Sequence, residues 1–241
     1  TIEEVRNLVS FNFAAQNRAV TVNDYDSLIR TMPSQFGAPA KVSITEENNK
    51  VNIKMLSYDE NGKLTEVVSN TLKNNVANYL SNYRMMNDYI SIQVANVIDL
   101  GINIDVVLDS SQNQGSVISQ IINTISDYFD PGNRQMGQNV NVSEIRRLIQ
   151  EQNGVISVSD IKAFNKVGGQ YSSSQTSQRY ADSQTREIEL IDDTIFAEPG
   201  QTYQIRYPGN DINVRVKNLS ATNFSWWFIL KIYQLPFKNS I

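Results

Sequence analysis

Arg18-Ala-Val-Thr-Val-Asn-Asp-Tyr-Asp-Ser-Leu-Ile29 and Asn139-Val-Asn-Val-Ser-Glu-Ile-Arg-Arg-Leu-Ile149 read as two copies of one helix start. With Val20 set against Val140, Thr21 and Asn141 become N-cap residues, whose side-chain oxygen can accept from an orphan amide of the first turn. Asp24 and Glu144 follow three residues on, placed to reach back in a capping box and to meet the positive helix end. The shorter Asp side chain predicts the weaker box. Val20 with Tyr25, and Val140 with Ile145, are spaced as hydrophobic staples. Leu28-Ile29 and Leu148-Ile149 lie one turn further along the apolar face. A glycine follows each helix (Gly37, Gly154), then an alternating strand, 40–45 or 155–161. Every constrained position starts a helix, and none brings a reactive group.

Working outward, residues 2–13 read as a helix, with Val5, Leu8, Val9 and Phe13 at three-to-four spacing. Strands 40–45 and 51–57 flank the polar turn Glu46-Glu47-Asn48-Asn49 as a hairpin. Asp59-Glu-Asn-Gly62 is a second turn, before a helix that aligns Val68, Leu72, Val76, Tyr79, Leu80 and Tyr83. Strands 90–100 and 102–108 follow, with Gly101 expected as a bend or bulge. Helix 116–129 turns Val117, Ile118, Ile121, Ile122 and Ile125 inward and is stopped by Asp130-Pro131-Gly132. Residues 168–179 are rich in Ser and Gln and poor in hydrophobics, which reads as a linker or mobile loop. Beyond it the period changes to two: 187–191, 203–207, 212–216 and 226–233 are the expected strands. Pro199-Gly200 and Pro208-Gly209-Asn-Asp211 are the turns. The expected fold is α+β, with helices packed on a mixed or antiparallel sheet that carries a partial internal repeat, followed by a small antiparallel β module. The expected division is 1–167 for the α/β module, 168–184 for the Ser/Gln-rich linker or loop, and 185–241 for the β module.

Composition narrows the function. At 241 residues the chain makes one or two domains at roughly 100 to 200 residues each. Hydrophobic residues are 40% and charged residues 19%, enough apolar material for a packed core. The net charge is -4, and no basic stripe exists beyond Arg146-Arg147, which argues against nucleic acid as a partner. Without cysteine there are no disulfides or thiolate metal sites. Without histidine the commonest general base, the usual Ser and Cys triads and the main zinc ligand are gone. The longest apolar run, Trp226-Trp-Phe-Ile-Leu230, is closed by Lys231 and falls far short of the about 20 residues of a membrane helix. No membrane insertion is expected, and no signal peptide is visible.

Candidate chemistry is thin. Placing Gly62 at the sixth position of a calcium loop puts Ser57 first and Val68 twelfth, so the bidentate Glu is missing. Asp99, Asp105, Asp109 and the pair Asp192-Asp193 flank or punctuate apolar strands and read as solvated turns and strand ends. Gly168-Gly169 opens no phosphate loop. The expectation is therefore no enzyme, no cofactor and no metal. Phe224-Ser-Trp-Trp-Phe-Ile-Leu-Lys-Ile-Tyr233 differs: as a strand it is apolar on both faces. It suits either a central strand of its own module or a strand with one face on another subunit. In the second case Trp226, Trp227, Phe228 and Tyr233 are interface candidates, since Trp and Tyr dominate hot spots.

Arg18-Ala-Val-Thr-Val-Asn-Asp-Tyr, followed downstream by Ala40-Lys-Val, resembles the signature of the baseplate J-like family of contractile phage tails. The α/β pattern extends the likeness to near Lys166. The length, the polar insertions and the extra C-terminal part are similar to the larger, wedge-forming members of myovirus baseplates. The resemblance implies a structural subunit of the baseplate inner ring. It implies contacts with copies of itself, as a homodimer and then a ring, and with other wedge proteins, and a rearrangement when the sheath contracts. It also implies a place in the virion after assembly in the host bacterial cytoplasm. Members normally have more chain upstream, so this sequence is expected to be the C-terminal part of a longer protein. Two other readings stay open. One is a receptor- or glycan-binding β module of a virion or secretion apparatus, using Trp226, Trp227 and Tyr203. The other is a cell-wall hydrolase, which needs two facing carboxylates about 5 to 9.5 Å apart.

Overall fold

The computed structural model describes residues 18–217, so the expected helix 2–13 and strand 226–233 lie outside the described residues. In chain order the elements begin with α1 (Val22–Arg30), β1 (Lys41–Glu47), β2 (Lys50–Tyr58), β3 (Leu64–Thr65), α2 (Asn70–Ser81) and β4 (Tyr89–Val94). Next come β5 (Asn96–Leu108), α3 (Gln114–Tyr128), β6 (Val140–Asn141), α4 (Val142–Gln150) and β7 (Val155–Lys166). The rest are β8 (Tyr180–Asp182), β9 (Glu187–Ile188), β10 (Thr194–Ile195), β11 (Gln201–Gln204), α5 (Pro208–Asp211) and β12 (Ile212–Val216). The class is α+β, as the sequence predicts.

Among the described residues the strands form two main sheets and a small ribbon. In the first sheet β2 pairs with β1 and β3 antiparallel and with β4 parallel. The β1–β2 hairpin closes with Glu47 opposite Lys50, so only Asn48 and Asn49 form the loop. Both have positive φ, 50° and 63°, the conformation of a tight two-residue hairpin turn that Asn tolerates well. In the second sheet β5 is central: antiparallel to β7 on one side, parallel to β11 and β12 on the other. β9 extends the sheet beyond β7, and β8 pairs antiparallel with β9. β6 and β10 make the ribbon. Antiparallel pairing in the C-terminal part is found between β8 and β9, with β8 inside the stretch expected as a linker or loop, and between β10 and β6. By contrast, β11 and β12 do not pair with each other but lie in succession along β5, with 205–211 looping out between them.

The two helix starts match at the caps and at the buried apolar positions, with a reversal in the capping boxes and a difference in the staples. Thr21 Oγ1 accepts the Asp24 N–H at 3.3 Å, and Asp24 Oδ2 accepts the N–H of Thr21 at 2.8 Å and of Val20 at 3.0 Å. This is a complete capping box. At the second start Asn141 Oδ1 accepts the Glu144 N–H at 3.2 Å, but the Asn141 N–H goes to the Tyr128 hydroxyl at 3.3 Å. Tyr128 therefore does what Glu144 was expected to do, and the Asp box is the fuller one. Tyr25 and Ile145, and Ile29 and Ile149, are buried in register, and each helix packs beside the strand that follows it. Gly37 (φ 88°) and Gly154 (φ 93°) both make the left-handed turn before that strand. The staples differ: Val140 is buried with Ile145, whereas Val20 is 53% exposed and Ala19 takes the inward place. Asp24→Ala is expected to cost about 1 kcal/mol and Glu144→Ala under about 0.5 kcal/mol. Urea unfolding of the two variants checks this, and equal losses would mean that both boxes form.

Three clusters make the core. Val117, Ile121 and Ile125 of α3 and Ile145 and Ile149 of α4 cover Ile104, Val106 and Ile161 of the second sheet. Tyr25 and Ile29 of α1 and Val76 and Leu80 of α2 cover Val51, Ile53 and Met55 of β2. Leu56, Leu64, Ala95 and Val97 join the two sheets. Gly101 is not the expected bend: β5 runs straight through it, and the break falls at Ala95. A Cβ at Gly101 would sit 2.4 Å from Cε of Lys166, so glycine clears the path of that side chain across the strand. The irregularities lie instead in the β5–β7 pairing, after Asp105 and after Val107.

Candidate functional site

The most heavily built polar feature is the seam where the end of β2, β3, the start of β5 and the end of β11 meet. Gln204 of β11 is buried there. Its amide accepts from the Leu64 N–H at 3.2 Å and donates to the Leu64 carbonyl at 3.2 Å, as a neighbouring strand would. The same Nε2 donates to Asp99 Oδ1 at 2.9 Å. Glu66 Oε1 accepts from the Val97 N–H at 2.8 Å and from the Ser174 hydroxyl at 2.5 Å. Arg206 and Asp59 form a largely buried ion pair at 2.8 Å. The other oxygen of Asp59 holds the turn, accepting from the N–H of Asn61 and of Lys63 at 2.9 Å each. In the structure this turn carboxylate is engaged by its own backbone and an arginine.

The Ser/Gln-rich stretch, expected as a linker or mobile loop, runs along this seam. The Ser172 N–H donates to Asp99 Oδ2 at 2.6 Å, and the Ser172 hydroxyl donates to the Val97 carbonyl. The Tyr171 hydroxyl donates to Asp211 Oδ1 at 2.6 Å. Asn165 Oδ1 accepts from the Thr176 N–H at 3.1 Å and from the Tyr180 hydroxyl at 2.7 Å. The low hydrophobic content of the stretch follows from this position, because the seam offers it carboxylates, amides and carbonyls.

Asp99 is the clearest correction to the sequence reading. It is fully buried in the middle of a strand rather than solvated at its end. Burial pushes its carboxyl above the usual range, against the Ser172 N–H, Gln204 and Arg206, which favour the charged form, while Asp211 adds to the rise. Asp211 is buried too, its second oxygen accepting from the Tyr207 N–H at 2.8 Å. Burial, then the bond to Asp211, raises the Tyr171 phenol to about 12. All four carboxylate oxygens of Asp99 and Asp211 therefore accept hydrogen bonds from named donors, an arrangement that fixes backbone. Asp105 sits on the open face of the second sheet, paired with Lys217 at 2.8 Å. Asp109 accepts from the Ser111 N–H at 2.9 Å, a bond that holds its carboxyl below the usual range. Asp192 and Asp193 form a turn with φ of 51° and 53°. The Asp193 carbonyl accepts the Val142 N–H at 2.7 Å, satisfying one orphan amide at the start of α4.

The interface candidates Trp226, Trp227, Phe228 and Tyr233 lie outside the described residues. Tyr203, the third aromatic of the glycan reading, is 1% exposed, with its hydroxyl on Thr176 and on the Phe196 carbonyl. It has no face to offer a sugar. Among the described residues no group of three or more carboxylate, histidine or cysteine side chains is placed to hold a metal ion. None of the described helices is long and apolar enough to cross a membrane. Sequence reading missed Gln204, Asp211, Tyr171 and Ser172. One signal was available for Asp99: it interrupts the apolar run Val97-Ile98-Asp99-Leu100, where a buried polar group must find a partner.

No family model matches the chain, and no curated protein matches it. The fold is similar to that of a chain in the cryo-EM structure of the anti-feeding prophage (AFP) baseplate, six-fold symmetrised. That likeness covers 86% of this chain with a TM-score of 0.58 and 12% sequence identity. It takes in 42% of the baseplate chain, so this chain spans less than half of that protein's length.

Proposed function

We propose that this chain is a structural subunit of the baseplate of a contractile tail or a related injection machine. The observation that carries the reading is the shared fold with the anti-feeding prophage baseplate chain, which extends over 86% of this chain. The absence of histidine and cysteine from the sequence and the use of Asp59, Asp99 and Asp211 as structural acceptors agree with a protein that acts by docking. In this reading copies of the chain pair as homodimers, join other wedge proteins in a ring around the tail tube, and shift when the sheath contracts. The apolar stretch at Phe224–Tyr233 supplies the anchor, through Trp226, Trp227, Phe228 and Tyr233.

The experiment is sedimentation of the chain alone and mixed with purified baseplate wedge proteins. The expected result is a dimer or larger assembly that Trp226→Ala with Trp227→Ala dissociates while circular dichroism stays unchanged. A folded monomer that ignores those partners would overturn the reading.

A further inference from the structure

A cleft of about 320 Å³ lies between α1, β1 and the 130–138 loop. That volume is at the low end for ligand pockets. It is lined by three cations, Arg30, Lys41 and Arg134, and by one acid, Asp26. Arg134 is the unusual one. It is 3% exposed, and its Cζ lies 5.0 Å from the centre of the Tyr128 ring and 5.5 Å from that of Phe129. Its Nη2 donates to the carbonyls of Gln138 at 3.0 Å and Asn139 at 2.9 Å. Among the described residues it makes no ion pair, and its Nε is the one buried side-chain polar atom without a hydrogen-bond partner. A buried guanidinium without a counter-charge is costly.

Lys41 donates to the Arg134 carbonyl from beside it. Burial lowers the Lys41 ammonium below its ordinary value, and the charges of Arg30 and Arg134 lower it further, with Asp130 opposing. Arg30 is spoken for by Asp26 at 2.7 Å but remains mostly exposed. The cleft thus gathers three positive charges against the single carboxylate of Asp26, which Arg30 already engages, around a space no side chain fills. Five consecutive residues, 40–44, line it, as the free edge of a strand does, and β1 pairs only with β2 among the described residues. Ala40, Val42, Ile44 and Met136 give the cleft apolar patches that a bare ion could not use.

We infer that this cleft is an oxyanion site that receives the carboxylate of an acidic protein segment lying along the free edge of β1. Edge amides, apolar patches and fixed cations suit an extended acidic peptide better than a free ion. The site is independent of the proposed baseplate role, because its test uses a peptide and no assembly partner.

The test is calorimetric titration of the chain with tetraglutamate and, separately, with inorganic phosphate at equal ionic strength. Tetraglutamate is expected to bind. Lys41→Met is expected to weaken it about ten-fold, the value of one charge-assisted hydrogen bond, and Arg30→Gln about three-fold. Arg179→Gln, which removes the same charge from a site 87% exposed elsewhere, is expected to leave binding unchanged. Should Lys41→Met lose its fold, the exposed Arg30→Gln carries the comparison. No binding by the wild type, equal weakening by Arg179→Gln, or phosphate binding as tightly as tetraglutamate would each overturn the inference.

Discussion

Ile149→Ala in α4 and Ile29→Ala in α1 are each expected to lower the unfolding free energy by about 2–5 kcal/mol. Both side chains are buried at the same step of the repeated helix start, and each faces a sheet: Ile149 with Val158 and Ile161 in its cluster, Ile29 with Val51 and Ile53. The transfer loss on removing the side chain beyond Cβ is about 0.8 kcal/mol per methylene-sized group, and a rigid sheet beneath cannot collapse to fill the hole. The upper half of the range is therefore expected at both places. Leu28 and Leu148, half-buried one residue earlier, are expected to lose less. Urea unfolding of the four alanine variants measures this. Losses below about 1 kcal/mol at Ile29 and Ile149 would contradict the view that the repeated signature is scaffold.

Asp99→Ala is expected to cost about 2–4 kcal/mol at neutral pH, because it strands the part-buried Ser172 N–H and one donor of the buried Gln204. The variant also cuts one of the two ties from Ser172 to β5, the other being its hydroxyl on the Val97 carbonyl, so proteolysis within 168–178 is expected to quicken. Asp99→Asn removes the charge and keeps one acceptor oxygen, so one of the two bonds to Ser172 and Gln204 survives. Burial holds the Asp99 carboxyl above its unfolded value, so the folded protein binds the proton more tightly than the unfolded chain does. The stability linked to that proton is complete below the ordinary carboxylate range and is lost as pH rises through the raised value. The wild type should lose ground to Asp99→Asn as pH climbs out of the ordinary carboxylate range. A wild-type advantage that grows over that interval would contradict the assigned environment.

Much of the fold was legible because it is written in short-range rules. The caps at Thr21 and Asn141, the turn Asn48-Asn49, the stop at Asp130-Pro131-Gly132 and the period-two run Ile212–Val216 all report their own neighbourhood, and each stands where the sequence put it. What was not legible depends on partners distant in the chain. Nothing near Asn141 says that Tyr128 will take its amide in place of Glu144. Nothing near Gly101 says that Lys166 will cross it, so a space requirement was read as a bend. The polar stretch at 168–179 reads as a linker or mobile loop because the acceptors it meets, Asp99, Asp211 and the Val97 carbonyl, lie on elements distant in the chain. The parallel seating of β11 and β12 on β5 is a matter of topology, which one sequence does not encode locally. The candidate site suffered most, since Gln204 and Asp211 become notable only when burial is known.

The claim on which the account turns is that this chain works as a docked part of a ring. Electron microscopy of the particle that carries it, with the chain bearing a density tag, tests that claim directly. The account predicts tag density repeated around the tube axis at the baseplate. Tag density absent from the baseplate, or found on a single projecting fibre, would contradict it.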